Sequence, residues 1–368
     1  MIDLLTLDPV ALTAALVDVP SVSHEERPLA DTLEQALRLI PGVEVLRHEN
    51  SLVARTQRGL PQRVILAGHI DTVPIAENVP CVRGVNDQGE DTLFGCGTVD
   101  MKSGLAVYLA VFARLANDPA LAYDLTLVCY EGEEVAARFN GLGLIHDAHP
   151  DWLVGDVALL GEPSGAIIEA GCQGSIRLRV TAHGVRAHSA RSWLGKNAMH
   201  VIAPVISNIA AYEAQEVLVD DCRYHEGLNI VHCESGVATN TIPDEAWLFV
   251  NFRFAPNRTQ EEALAHMLAV LDLPEGVEYE IDDIVPGARP GLDLPVVHRL
   301  VAATGGQVRA KYGWTDVARF SELGIPAVNF GPGDPAYCHK KDEQCPTWMI
   351  TSVFDTLMTY LQAGETDE

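Results

Sequence analysis

Basic residues are scarce in this sequence. Its 25 Lys and Arg stand against 51 Asp and Glu, a formal net charge of −26. A polyanion would be repelled by that mean field, so nucleic acid is not an expected partner. Long apolar runs are missing as well: the longest are of strand length or broken by charge, and none suits a membrane span. Met1 to Pro9 carry acid where a secretory leader would need base, which makes the cytoplasm the expected compartment. No Cys-x-x-Cys occurs among the 8 cysteines, so neither a thiolate zinc site nor a redox pair is signalled. Reduced, mostly buried thiols are expected.

What is present is the composition of an ordinary globular chain, 48% hydrophobic and 21% charged. Its 368 residues exceed the usual size of a single core, so two domains are the first expectation. Asp8-Pro9 reads as an N-cap with Pro in the first turn, opening a helix to about Val19. Ser23 to Glu26 fits a capping box ahead of a second helix striped by Leu29, Leu33, Leu37 and Ile40. Short strands are expected over 43–47 and 51–55. Then Val64 to Ala67 form a buried strand that runs straight into Gly68, His69 and Asp71.

That grammar recurs. A polar loop over 75–95 delivers Asp100 to the start of an apolar helix near 101–116. The strand from Asp124 to Tyr130 empties into Glu131, Glu133 and Glu134, and Val157 to Leu160 empties into Glu162. Ala327 to Phe330 leads through a Gly-Pro loop to His339, ahead of a last helix over about 348–361. Between about 173 and 287 the order is strand, helix, strand, strand, helix, strand, the split βαβ pattern of a ferredoxin-like domain. A helix opened by Thr259-x-x-Glu262 belongs to it. An α/β domain interrupted by a smaller α+β insert is therefore expected.

Taken singly, each exit residue has a bland reading as a cap or as surface charge. Together, His69, Asp71, Asp100, Glu133, Glu134, Glu162 and His339 fall at the carboxyl ends of core strands, the ligand edge of an open α/β sheet. Nitrogen and oxygen donors without thiolate suit zinc, cobalt or manganese. In a two-ion site Asp100 would bridge. His69 and Glu162 would complete one ion, Glu134 and His339 the other. Glu133 is then left as a general base for water activated by the ions, and Asp71 would orient His69 through its second ring nitrogen.

The motifs Gly68-His69-x-Asp71-Thr72-Val73-Pro74, Gly97-x-x-Asp100-Met101-Lys102-x-Gly104, Glu133-Glu134, Gly161-Glu162-Pro163 and the late His339 resemble the signatures of the dinuclear zinc deacylase and exopeptidase family. The likeness spans essentially the whole chain. It implies a zinc-exopeptidase-like catalytic domain, a mixed sheet flanked by helices, over 1–172 and 288–368. An inserted ferredoxin-like dimerisation domain would occupy 173–287. It also implies two divalent ions, zinc first and cobalt as an alternative, and a homodimer joined through the insert. By the same resemblance His188 reaches the partner's active site to stabilise an oxyanion, while Asn240 and Arg253 line the substrate pocket.

Within the family, Ala187 to Gly195, Gly313 to Val317, Arg319-Phe320 and His339 to Pro346 resemble a bacterial branch that removes a succinyl group from a diamino acid, on the route to lysine and cell-wall peptide. An anionic small-molecule substrate agrees with the local cluster of Arg186, Arg191 and Lys196, since guanidinium forks suit carboxylates. Arg253 and Arg191 are the expected carboxylate partners. Cys172-Gln173 departs from a basic pair carried by other branches, and the Gly331 to His339 loop is longer. Another acyl or peptide specificity, such as an acetylated ornithine or a dipeptide, is the alternative with the same chemistry. A non-catalytic metal-binding protein is the alternative of a different class, against which an intact Glu133 argues. A phosphatase-like dinuclear hydrolase is a third.

Overall fold

The computed structural model describes residues 2–292 and 294–362. They divide into two compact units: one runs to Ala170 and resumes over Gly291–Arg309 and from Thr315, the other is Gly171–Pro290 with Ala310–Trp314. Ala310–Trp314 was expected in the outer domain but falls with the insert. Two contacts hold it there: Tyr312 packs edge-on against His225 at 5.4 Å, and Trp314 Nε1 donates to the Pro286 carbonyl at 3.2 Å.

The outer unit is built on an eight-stranded mixed sheet. Its centre is parallel. Arg63–His69 lies between Asp124–Tyr130 and Val157–Leu160, with His69 level with Tyr130 and Ala67 level with Leu160. Ala327–Asn329 adds a fourth parallel strand beside Val157–Leu160. Val64 to Ala67, Leu125, Leu127 and Val157 to Leu160 are fully buried. Strands buried on both faces need apolar side chains at every position, which is why these runs do not alternate. A consequence follows for chemistry: parallel strands exit on one edge, so whatever follows each of the four is gathered there.

Lys102–Leu115 is the central helix, apolar nearly all round and packed against Pro9–Val17, Thr347–Leu361 and the Arg63–His69 strand. One glycine sets how close it comes. A Cβ on Gly104 would meet the Gly161 carbonyl oxygen at 1.8 Å, so only glycine lets this helix lie against the exit of Val157–Leu160. Asp8 caps Pro9–Val17 by accepting from the Val10 and Ala11 amides.

The expected capping box at Ser23 is not formed. The second helix is Arg27–Leu37, and its cap, Glu26, makes no side-chain cap bond. Glu26 Oε1 takes the His24 amide, while Ser23 Oγ donates to Asp71. The loop expected over 75–95 also holds more order than its composition suggests: Val82–Val85 and Asp91–Phe94 pair as a hairpin, extended by Gln344–Pro346.

The second unit carries a four-stranded antiparallel sheet in the order Gly227–Ser235, Glu245–Phe254, Gly174–His183, Val277–Val285. Ala198–Ala210 and Gln260–Leu271 cover one face, burying Ile176, Leu178, Val180, Leu248, Val250 and Phe252 against Ile202, Val205 and Met267. The order of elements and strands is that of a ferredoxin-like domain. Here the capping box is made, Thr259 and Glu262 satisfying each other's amides at 3.2 and 3.0 Å. No helix among the described residues is long and apolar enough to cross a membrane. Of the 8 cysteines, Cys96, Cys129, Cys172, Cys222 and Cys345 are buried.

Candidate metal centre

Seven of the predicted residues lie in the outer unit at one strand edge. His69 ends Arg63–His69, fully buried. Its Nδ1 lies 3.0 Å from the main-chain carbonyl of Asp71 and 3.5 Å from that residue's carboxylate. A carbonyl can only accept, so the proton sits on Nδ1, and Nε2 is the atom offered to the site. It faces Asp100 Oδ1 at 3.1 Å. His339 Nε2 approaches the other oxygen, Oδ2, at 3.2 Å and Glu134 Oε1 at 3.0 Å. One carboxylate thus gives one oxygen to each of two imidazoles.

Asp71 thus meets the inner ring nitrogen of His69 with both its main-chain carbonyl and its carboxylate. The buried carboxylate also accepts from Ser23 Oγ at 2.8 Å and from the amides of Glu133 and Glu134, each at 3.1 Å. Asp71 therefore fixes the turn that carries both glutamates.

Among the described residues, donor atoms within 4.8 Å of one another form three clusters: His69, Asp100 and Glu162; Asp100, Glu134 and His339; and His69, Glu133 and Glu134. The first two share Asp100, with His69 and Glu162 in one and Glu134 and His339 in the other. A set of two imidazoles and three carboxylates, with one carboxylate common to both clusters, fits two divalent cations of the borderline class.

The electrostatics agree with a site made for cations. Burial works against a charged His69, yet Asp100 and Asp71 outweigh it and hold its pKa well above the ordinary value. Asp100 and Glu134 push His339 up to about 10. Burial disfavours ionised Asp100, but hydrogen bonds to His339 and His69 leave its carboxyl well below the usual range. Glu133 goes the other way. Burial first, then the charges of Glu162, Asp316 and Glu134, raise it well above an ordinary glutamate despite opposition from His69. Two carboxylates of one site are thus pushed in opposite directions.

The other predicted residues, His188, Arg191, Asn240 and Arg253, lie in the second unit, all solvent-exposed. His188 pairs with Thr241 in a two-residue ladder, and the Ser189 amide donates to the Asn240 carbonyl at 2.9 Å. The Ala190 amide donates to His188 Nδ1 at 3.0 Å. An amide can only donate, so a neutral His188 carries its proton on Nε2 and presents that N–H outward. Arg191 stands in the following turn, and Arg253 lies opposite Ser175 in the sheet.

Three residues escaped the sequence reading. Ser23 holds Asp71 from 48 residues away. Buried Asp316, which accepts from Asn140 and Arg319, contributes to the environment of Glu133. Buried Glu343 accepts three amides of the turn leading to Asp100. The first two had no local signal, because their partners are remote in sequence. Glu343 stands in Lys340 to Gln344, where an acid among lysines reads as surface charge.

Comparison with known proteins places these residues in context. The profile of peptidase family M20/M25/M40 matches residues 65–363. The chain is 59% identical over 360 residues to a Corynebacterium glutamicum protein named succinyl-diaminopimelate desuccinylase, covering 96% of each. Among solved structures, the aminopeptidase PepT of Bacillus cereus superposes with a TM-score of 0.76 at 19% identity, over 96% of this chain and 97% of that one. A Bacillus subtilis dinuclear metal-binding peptidase of the M20 family gives 0.68 at 15% identity, over 96% of both chains. At such identities the structural likeness speaks for the fold alone.

Proposed function

Because the chain belongs to peptidase family M20/M25/M40, a family of metal-dependent hydrolases, we propose that it hydrolyses the succinyl amide of N-succinyl-LL-2,6-diaminopimelate, releasing succinate and LL-2,6-diaminopimelate. The observation that carries the chemistry is the sharing of Asp100 between two donor clusters. What carries the substrate is the 59% identity to the Corynebacterium glutamicum desuccinylase over nearly the full length of both chains.

In this reading His69, Asp100 and Glu162 hold one divalent ion, and Asp100, Glu134 and His339 the other. Zinc best suits the donors, with cobalt as an alternative. When bound, such ions polarise the amide carbonyl and lower the pKa of water. Glu133 accepts a proton from the water whose oxygen adds to the carbonyl carbon. It returns that proton to the departing nitrogen as the C–N bond breaks. Its raised pKa suits both halves of the task. Asp71 keeps Glu133 and Glu134 in place through their amides.

His188 acts as an oxyanion donor supplied by a second copy of the chain, its Nε2–H fixed outward by the Ala190 amide. Asn240, Arg191 and Arg253 bind the anionic ends of the substrate. A homodimer through the second unit is supported by the edge of its sheet. Gly227–Ser235 hydrogen-bonds only to Glu245–Phe254 among the described strands, and Val231 on it and Val237 just beyond it are exposed. An edge strand with one side open is a template for another chain.

Initial rates on N-succinyl-diaminopimelate, N-acetylornithine and an N-acylglutamate test the assignment. The succinyl substrate should be turned over with the highest kcat/KM. Preference for acetylornithine would move the chain to another deacylase specificity, and metal binding without hydrolysis of any of them would exclude catalysis.

A further inference from the structure

We propose that Glu343 is the clasp that fixes Asp100 against His339 and thereby sets the affinity of the ion those two share with Glu134, a role that rests on the two-ion reading above. The turn from Gly95 to Asp100 carries the shared carboxylate, and the loop from His339 to Glu343 carries the exposed imidazole. Glu343 joins them twice. Its carbonyl accepts the Gly95 amide at 3.0 Å, at the mouth of the ladder in which Gln344 pairs with Phe94. Its side chain, 2% exposed, then covers the rest of the turn: Oε2 accepts from Gly97 at 3.0 Å, while Oε1 accepts from Val99 at 2.8 Å and from Asp100 itself at 3.0 Å. Gly97, at φ +87°, has the left-handed backbone that bends the turn around this carboxylate.

Three amide donors converge on one anion, and the third belongs to the residue whose two oxygens face His69 and His339. A shift of Glu343 therefore moves Asp100 and His339 relative to each other. His69 and Glu162 stand on the exits of the Arg63–His69 and Val157–Leu160 strands, whereas His339 is carried by the same loop as Glu343. The consequence is asymmetric. Disturbing the clasp should loosen the ion between Asp100, Glu134 and His339, which has two of its ligands tied to Glu343, more than the one between His69, Asp100 and Glu162, which has one. A carboxylate that merely steadied the fold would lower the melting temperature without sorting the two ions.

The test uses the full chain, stripped of metal and titrated with Co²⁺ by calorimetry and visible absorption, as wild type, E343Q, E343D and K341A. In E343Q an amide NH₂ would replace Oε2 and confront the Gly97 N–H. E343D keeps the charge but shortens the reach. Lys341 lies in the same loop, exposed and paired with Glu77 at 2.7 Å, and serves as the loop control. Wild type and K341A should take up two ions with matching isotherms. E343Q and E343D should bind the first ion within about threefold of wild type and the second ~10–100-fold more weakly, the usual cost of losing an outer-shell partner. Wild-type affinity for both ions in E343Q and E343D, or equal weakening of both steps, would overturn the clasp. If wild type itself failed to bind two ions, the two-ion reading would fall instead.

Discussion

Replacing Glu133 by Gln separates the proposed base from the proposed ligands more cleanly than any other single change. The side chains have the same shape, and the bond that positions the residue, from its amide to Asp71 Oδ1 at 3.1 Å, belongs to the backbone and survives. Neither of the two clusters that share Asp100 uses Glu133. Both ions should therefore stay, with stoichiometry by atomic absorption unchanged. What is lost is the proton shuttle. General base catalysis contributes ~10²–10⁴-fold, or roughly 3–5 kcal/mol of barrier. A fall of that size is expected in kcat, with KM nearly constant.

The metal-free protein offers a second readout of the same variant. Burial and the neighbouring carboxylates raise the pKa of Glu133 in the folded state above its unfolded value. The folded chain then holds a proton that the unfolded chain has lost, so stability falls as pH rises above ~4.3. Gln carries no such cost. Metal-free E133Q should melt higher than metal-free wild type at neutral pH, and the difference should vanish near pH 4. Retained turnover with both ions bound would remove Glu133 from the role of base. Loss of one ion would make it a ligand.

Other outcomes follow from the same geometry. H188A should lose ~10²–10³-fold in kcat with full metal content, as expected for an oxyanion donor. Mixing E133Q with H188A subunits should restore activity through heterodimers that pair one intact Glu133 with one intact His188, and no recovery in exchanged mixtures would refute action across the interface. Metal uptake should release protons, because His69 is raised well above its ordinary pKa and His339 to about 10, and both must be neutral to ligate. Affinity should thus climb as pH rises through the neutral range. Calorimetry in buffers of different ionisation enthalpy should find about two protons released at pH 7, and pH-independent binding would contradict the ligand set. Val231→Lys on the exposed edge strand should shift sedimentation from dimer to monomer, whereas an unaltered dimer would place the interface elsewhere.

The parts of this protein readable from sequence were those where one physical rule acts alone. Val64 to Ala67 and Val157 to Leu160 are apolar at every position because both faces of a parallel strand are covered, and their exits had to share an edge. That rule alone gathered His69, Glu162 and, through its own strand, Glu134. Asp100 and His339 needed more, since each reaches the edge through a loop. The family signatures supplied what periodicity could not. Ser23 shows where local rules mislead: its spacing to Glu26 is that of a capping box, but Asp71, distant in sequence and close in space, takes its hydroxyl. The hairpin of Val82–Val85 and Asp91–Phe94 was hidden for a similar reason, being completed by Gln344–Pro346 from the far end of the chain. Glu343 was invisible because three backbone amides leave no trace in side-chain identity.

The central claim, that Asp100 joins two cation sites, is tested most directly by anomalous scattering from crystals grown with Zn²⁺. Two peaks are expected roughly 3.5–4 Å apart, one among His69, Asp100 and Glu162 and the other among Asp100, Glu134 and His339. A single peak that excludes Asp100, or zinc held by cysteine with this edge left bare, would contradict it.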